Sequence, residues 1–337
     1  MSFGNGFGII ENEYQLELMK RGFSMTKNGV LLINLGTPAE PTTKAVRSYL
    51  KLFLGDPRVI QIPRLFWWPI LNLMILPARP KKSAKLYQSI WTENGSPLLY
   101  YTQQQTTALQ AHFPDKMVRF AMSYSNPRIG AVLTEFEAAG VTDLTVIPLY
   151  PQYSTTTVGA VYDEVARFYV GYPQMPTLHF IQDFSDNPQY VQAMAAKIQT
   201  QLADADYDQI LLSYHGIPKS YATKGDPYPQ RCENCTALIA AQLKTAVPVT
   251  MTYQSKFGPN EWLTPATDAT LKALPGQGVH KILVVTPSFV ADCLETVEEI
   301  EDENRGYFMG NGGQQFDVVQ PFNADPEFTT VLASLVR

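Results

Sequence analysis

The chain has 337 residues, room for about two domains of ordinary size. Apolar residues make up 45% and charged ones only 17%, which excludes a disordered or highly charged scaffold. Lys plus Arg is 26 against 31 Asp plus Glu, a net charge of −5 with no basic stripe, so phosphate-driven binding to nucleic acid is excluded too.

Residues 1–28 read as an N-terminal extension, expected to be partly disordered. They lack a basic start followed by an apolar run and are not a signal peptide. Met25 offers a second start just before the first strand pattern, Val30–Leu35. Next comes the stretch Leu65–Pro77 (LFWWPILNLMILP), inside an apolar region at 62–82. It is too short to span a bilayer, which takes about 20 residues, and Pro69 interrupts it. Flanked by Arg64, Arg79, Lys81 and Lys82, it reads either as a buried helix or as an exposed lip over a ligand cleft or membrane surface.

Beyond the lip, short unbroken apolar runs alternate with helical patterns. The runs are Val118–Tyr124, Leu144–Tyr150, Ile210–Tyr214, Val249–Tyr253 and Ile282–Thr286; the helical patterns are Thr102–Phe113, Ala131–Ala139, Pro188–Leu202, Thr236–Thr245 and Glu295–Phe308. Unbroken apolarity means strands buried on both faces, hence parallel sheets flanked by helices. The two halves also resemble each other. LLINLGTP (Leu31–Pro38) parallels LLSYHGIP (Leu211–Pro218), and MSYSNP (Met122–Pro127) parallels MTYQSKFGP (Met251–Pro259). Pro148 and Val158 stand ten residues apart, as do Pro287 and Val297. The pattern predicts an α/β protein of two similar doubly wound, Rossmann-like domains, 29–170 and 171–324, hinged near Gly171–Pro176. A C-terminal helix in 325–337 is expected to cross back onto the first.

Doubly wound sheets bind ligands beyond the carboxyl ends of their strands. Four constellations lie there or near. His215 follows a buried strand directly and can accept a proton or bind a transition metal. Asp292, Glu295, Glu299 and Asp302, spaced +3, +7 and +10, share one α-helical face and suit a divalent-cation path; Glu298 and Glu301 read as a solvated face. Ser154–Thr157 reads as a helix cap or an anion site. The CENC spacing of Cys232 and Cys235 is half a metal site, and only Cys293 remains to extend it. Three cysteines build no disulfide framework and fit a reducing, cytoplasmic compartment. Phosphate-loop, dinucleotide and nucleophile-elbow motifs are missing from the sequence.

These segments, with GSPL (Gly95–Leu98), YPQYSTTT (Tyr150–Thr157), GDPYP (Gly225–Pro229), QSKFGPNEWL (Gln254–Leu263) and DCLETVEEI (Asp292–Ile300), resemble the ferrochelatases over nearly all of residues 29–337. The resemblance implies a chelatase-like fold with its active-site cleft between the domains. It implies a lyase that inserts Fe(II) into a porphyrin without ATP, with iron as substrate and no resident cofactor. His215 and Glu295 match the paired metal-site residues, which the family uses in catalysis, and Glu299 and Asp302 continue the acidic path. Arg79, Tyr87 and Ser96 match positions that meet porphyrin propionates or the cleft wall, and Tyr228 and Trp262 match cleft-side aromatics. Some members carry an iron–sulfur cluster; this chain lacks the cysteines for one. Coproporphyrin-using members tend to have tyrosine before the first Gly-Thr-Pro, where this chain has Leu35. The expected substrate is therefore protoporphyrin IX, giving haem, with coproporphyrin III giving coprohaem as the alternative. A cobalt or nickel tetrapyrrole chelatase is a further alternative, and a non-catalytic haem or porphyrin carrier is the reading from a different class. The expected partners are porphyrin and ferrous iron, with transient contact to a membrane surface or haem-pathway enzymes left open.

Overall fold

The structure, a computed structural model, describes residues 27–337. The expected extension thus lies outside the described residues, except at its last two positions, and Asn28 already opens the first strand. Eight strands form two parallel sheets: β1 (Asn28–Asn34), β2 (Met117–Met122), β3 (Asp143–Pro148) and β4 (Thr177–Phe180), then β5 (Gln209–His215), β6 (Val249–Gln254), β7 (Lys281–Val285) and β8 (Gln315–Val319). The orders are β2-β1-β3-β4 and β6-β5-β7-β8, one topology used twice.

Both central strands are buried on both faces, and alternate side chains go to different cores. Val30 and Leu32 of β1 and Ile210 and Leu212 of β5 enter one core that joins the two sheets. The helices Pro188–Asp204, Tyr228–Gln242 and Pro326–Leu335 fill the space between them with side chains such as Tyr190, Cys235 and Phe328. Leu31 and Ile33 face an outer core with Phe136 and Val165, and Leu211 faces its counterpart with Ile300 and Phe308. The C-terminal helix Pro326–Leu335 packs on Pro97–His112 of the first half and on Pro188–Asp204.

Three expectations need correction. The boundary after residue 170 does not divide the sheets, because β4 pairs in parallel with β3 and the first sheet runs to Phe180. β4 and β8 carry no unbroken apolar run: they are edge strands of four and five residues, largely half-buried, and apolar patterning does not reach them. The duplication is also out of step with one sequence match. Leu32 pairs with Phe120 and its counterpart Leu212 with Met251, so Met251 corresponds to Phe120 rather than Met122. The shift of two residues keeps every side chain on its own face.

The lip is both of its expected forms at once. Pro63 leads into a helix at Arg64–Pro69, a π-helical stretch at Ile70–Ile75 and a helix at Leu76–Ile90. Pro69 has no N–H to give, and the chain accommodates it by widening to i→i+5 bonding in the next turn. Trp67 and Leu71 turn inward against Val46, Leu50 and Tyr124, and the Trp67 indole N–H donates to Leu54 O at 2.7 Å. Leu65 (81% exposed), Phe66, Trp68, Leu73 (71% exposed) and Met74 face outward. Among the described residues no helix is long and apolar enough to cross a membrane.

This division predicts opposite outcomes for two neighbouring substitutions. Trp67→Ala is expected to cost about 3–5 kcal/mol in urea denaturation, because it empties a packed site. Leu73→Glu is expected to stay within about 0.5 kcal/mol of the parent chain.

Candidate active site

His215 is the last residue of β5 and pairs with Gln254, the last of β6. Its Nδ1 lies 2.7 Å from Gly216 O. A carbonyl only accepts, so in the neutral ring Nδ1 carries the proton and Nε2 keeps its lone pair. Gly216 is required here: a Cβ would stand 2.7 Å from Gln254 O and 3.3 Å from the Trp262 ring. The half-buried ring lies 6.2 Å from Phe289, centroid to centroid.

The acidic run forms a π-helix, Leu294–Asn304, followed by an α-helix, Arg305–Gly310, rather than one α-helix. Its wider turn rotates residues seven apart off a common face. Glu295 and Glu299 stay half-buried at the cleft, whereas Asp302 faces solvent. In the π-helix Asp302 thus leaves the face that Glu295 and Glu299 share. Glu299 is occupied as well. Its Oε1 accepts from Ser255 N at 2.6 Å, and its Oε2 accepts from Ser255 Oγ and, at 3.3 Å, from Gln254 Nε2. Burial pushes its carboxyl above the usual range; the Ser255 donor and His215 oppose this, and the Glu295 charge adds to it. Ser255 holds a left-handed backbone, φ +65°, at this contact. Gln254 Nε2 also donates to the main-chain Glu295 O at 2.9 Å, so one buried amide ties the histidine's partner strand to the Glu299 carboxylate and the Glu295 backbone.

Across the cleft the first half supplies Tyr49, Tyr87 and Arg79. Burial and the Glu295 charge hold the Tyr87 hydroxyl well above its usual range, and Tyr49 shifts the same way. Burial lowers the Arg79 pKa while Tyr87 and Glu295 raise it, and its guanidinium lies 4.0 Å from the Phe257 ring centroid. Trp262 donates its indole N–H to Phe257 O at 2.9 Å and packs on Gly216. The structure thus sets Arg79 and Tyr87 near Glu295, Glu299 near both His215 and Glu295, and Trp262 against Gly216. Tyr49, missing from the sequence reading, joins them; its only signal was aromatic spacing within the helix Thr43–Phe53.

Two expected substrate contacts are elsewhere. Ser96 is buried and donates to Thr37 Oγ1 at 2.8 Å. Tyr228 is buried in the shared core with its hydroxyl 2.9 Å from Ser288 Oγ. His215 stands at a strand end, whereas Ser96 and Tyr228 sit at helix N-termini turned into the protein.

The hydroxyl run receives an anion, and it is the protein's own. Asp226 Oδ2 accepts from Ser154 Oγ at 2.9 Å, Thr155 N at 2.9 Å and Thr155 Oγ1 at 2.7 Å, while Oδ1 accepts from Tyr228 N at 3.0 Å. The reading of Ser154–Thr157 as a site for an external anion is corrected accordingly. Cys232 and Cys235 are free and buried on one helix, and burial pushes the Cys235 thiol up to about 12. Cys293 lies apart, capping the π-helix. Among the described residues no three His, Cys, Asp or Glu side chains gather in a way that could hold a metal ion.

A family profile described as Ferrochelatase matches residues 27–337. The coproporphyrin III ferrochelatase of Enterococcus faecalis (strain ATCC 700802 / V583) is 49% identical over 312 residues, covering 93% of this chain and 99% of that protein. The ferrochelatase of Serratia proteamaculans (strain 568) is 48% identical over 312 residues, covering 92% and 98%. Among solved structures, sirohydrochlorin chelatase SirB from Bacillus subtilis subspecies spizizenii, in complex with cobalt, shares the fold at a TM-score of 0.56 and 14% identity, covering 93% of this chain and 94% of that one. SirB from Bacillus subtilis with Fe3+ gives a TM-score of 0.53 at 10% identity, covering 92% and 96%.

The Asp226 clamp yields a stability prediction. Asp226→Ala leaves Ser154 Oγ, Thr155 N and Tyr228 N without their acceptor and is expected to cost about 3 kcal/mol in urea denaturation.

Proposed function

The chain belongs to the ferrochelatase family, lyases that insert a metal ion into a porphyrin, and on that premise we propose that it inserts Fe(II) into protoporphyrin IX to give haem, without ATP. The observation that carries the site assignment is the His215 imidazole, fixed by Gly216 O with its Nε2 lone pair left over, near Glu299, which in turn lies near Glu295 and, through it, the tyrosines Tyr49 and Tyr87.

Metallation removes two pyrrole protons as iron enters the ring. A planar macrocycle resists both, because its N–H groups point inward. Bending the ring turns nitrogen lone pairs outward, and burial of the ring's periphery offsets the strain. Apolar walls supply about 25 cal/mol per Å² of that burial. Trp262, Phe289 and Tyr87 are wall residues in this reading. His215 Nε2 accepts a pyrrole proton, and Glu295 meets the metal and moves a proton on the same side. Arg79 offers a cation to a propionate.

Two features support protoporphyrin IX. The outward apolar lip at Leu65, Phe66, Trp68, Leu73 and Met74 suits a porphyrin edge bearing vinyl groups. Leu35 packs with the lip core and presents no hydroxyl before the Gly-Thr-Pro turn. The Enterococcus faecalis relative favours coproporphyrin III as the second reading. Three free, buried thiols support a reducing, cytoplasmic setting.

Anaerobic incubation with Fe(II) and each porphyrin, followed by absorbance, decides the substrate. A kcat/KM about tenfold higher for protoporphyrin IX is the expected outcome, since an unpaired propionate in an apolar wall costs at least that much. The opposite order assigns coproporphyrin III, and preferred uptake of Co(II) or Ni(II) in competition reassigns the metal. His215→Ala is expected to lower kcat about 100-fold or more with porphyrin still bound, as judged by fluorescence quenching. Normal turnover would remove His215 from the proton step. Glu295→Gln is expected to cost about tenfold more than Glu298→Gln, since Glu295 lies near Arg79 and Tyr87 of the first domain whereas Glu298 neighbours Glu303, Asp302 and Lys82.

A further inference from the structure

Gln105 lies on the helix Pro97–His112 of the first domain and is buried. Its Nε2 donates to two carbonyls of the second domain, Val290 O at 3.0 Å and Asn323 O at 2.8 Å. Its Oε1 is buried with no partner. An orphaned acceptor costs stability, and an apolar side chain of the same length would avoid it. The residue is thus held for its two donors. Asn323 continues the line. It sits in the left-handed region at φ +51°, and its amide grips Asp292 from both ends: Oδ1 accepts from Asp292 N at 2.8 Å and Nδ2 donates to Asp292 Oδ2 at 2.7 Å. Asp292 Oδ1 accepts from Thr296 Oγ1 at 2.9 Å, and Thr296 Oγ1 accepts from Cys293 N at 3.0 Å. That bond closes the first turn of the π-helix, around Glu295.

We propose that Gln105 and Asn323 are positioning residues for metal insertion, forming a relay through Asp292 by which the first domain sets where Glu295 stands. Each bond in the line joins groups that are buried or half-buried, so a shift at the domain contact has no slack to absorb it. Asp292 is then a structural grip on the π-helix rather than a rung of a cation path. The proposal rests on the reading of Glu295 as the metal-site carboxylate.

The test uses the full chain with Fe(II) and porphyrin under anaerobic conditions, reading kcat, KM for Fe(II), porphyrin Kd and Tm. Asn323→Gly keeps the left-handed backbone accessible while deleting the grip. Gln105→Met keeps the volume while deleting both donors. Both are expected to lower kcat about tenfold and raise KM for Fe(II), with porphyrin Kd within about twofold of the parent. The double variant is expected to lose no more than the worse single one, because the two act in one line. Asp292→Ala is expected to match them, and Asp292→Asn to recover most of the loss, since an amide still accepts from Asn323. Unchanged kcat and KM for Fe(II) in Asn323→Gly and Gln105→Met overturn the relay. So does activity that falls in step with porphyrin affinity and Tm, which marks a merely structural role. Asp292→Asn as inactive as Asp292→Ala overturns it as well, because the charge itself would then act. Glu295→Gln separates the two readings: an active Glu295→Gln overturns the metal-site assignment and the relay with it. An inactive one beside an unaffected Asn323→Gly overturns the relay alone.

Discussion

The buried side chain of Gln254 joins the two elements that carry the titratable groups of the cleft. Its main-chain carbonyl takes the Gly216 N–H at 2.8 Å, in the turn whose next carbonyl orients His215. Its amide nitrogen holds Glu295 O and Glu299 Oε2, and its amide oxygen accepts from Ser213 Oγ at 2.8 Å. A strand tip and a helix are otherwise free to drift against each other by tenths of an ångström. With one buried amide saturated between them, a shift breaks hydrogen bonds that water cannot replace. The imidazole, the Glu295 main chain and the Glu299 carboxylate therefore keep a common frame.

Both walls of the cleft contain π-helical turns, for different reasons. In the lip, at Ile70–Ile75, the widening follows Pro69 and lets one helix carry buried Trp67 and Leu71 beside exposed Leu73 and Met74. In the acidic segment, Asn304 Nδ2 donates to Glu299 O at 2.7 Å, a side chain serving the carbonyl that a wide turn frees. The helix Leu76–Ile90 packs directly on this second π-helix. Arg79 and Tyr87 thereby approach Glu295 from the first domain.

The two halves share a topology and have diverged in chemistry. Gly36 and Gly216 both follow the central strand, and at both a Cβ would collide with the chain at the end of the neighbouring strand, Ser125 Oγ at 2.6 Å or Gln254 O at 2.7 Å. The close approach is preserved; the side chain before it is not. Leu35 packs into the lip core where the second half presents His215. Asp226, from the second half, fills the hydroxyl cradle at Ser154 and Thr155 of the first. One repeat thus carries a histidine at its central strand tip, and the other an apolar lip in the same region of the repeat.

The sequence by itself determined the parallel α/β architecture, the duplication, and the place of His215 at a strand tip. Each depends on short-range pattern: unbroken apolar runs demand two-sided burial, and a polar residue directly after such a run must lie at a strand tip. Edge strands β4 and β8 left no such trace, being short and half-wet. Only the tertiary structure decided what the polar groups face. The hydroxyls of Ser96, Ser154 and Tyr228 have the same chemistry as ligand-binding ones, yet they are spent on Thr37, Asp226 and Ser288, residues 59, 72 and 60 positions away. The acidic column assumed α-helical periodicity, and the π-helix turned Asp302 out to solvent. Helix type and polar pairing of this kind are set by what packs alongside, and no local stretch of sequence carries that information.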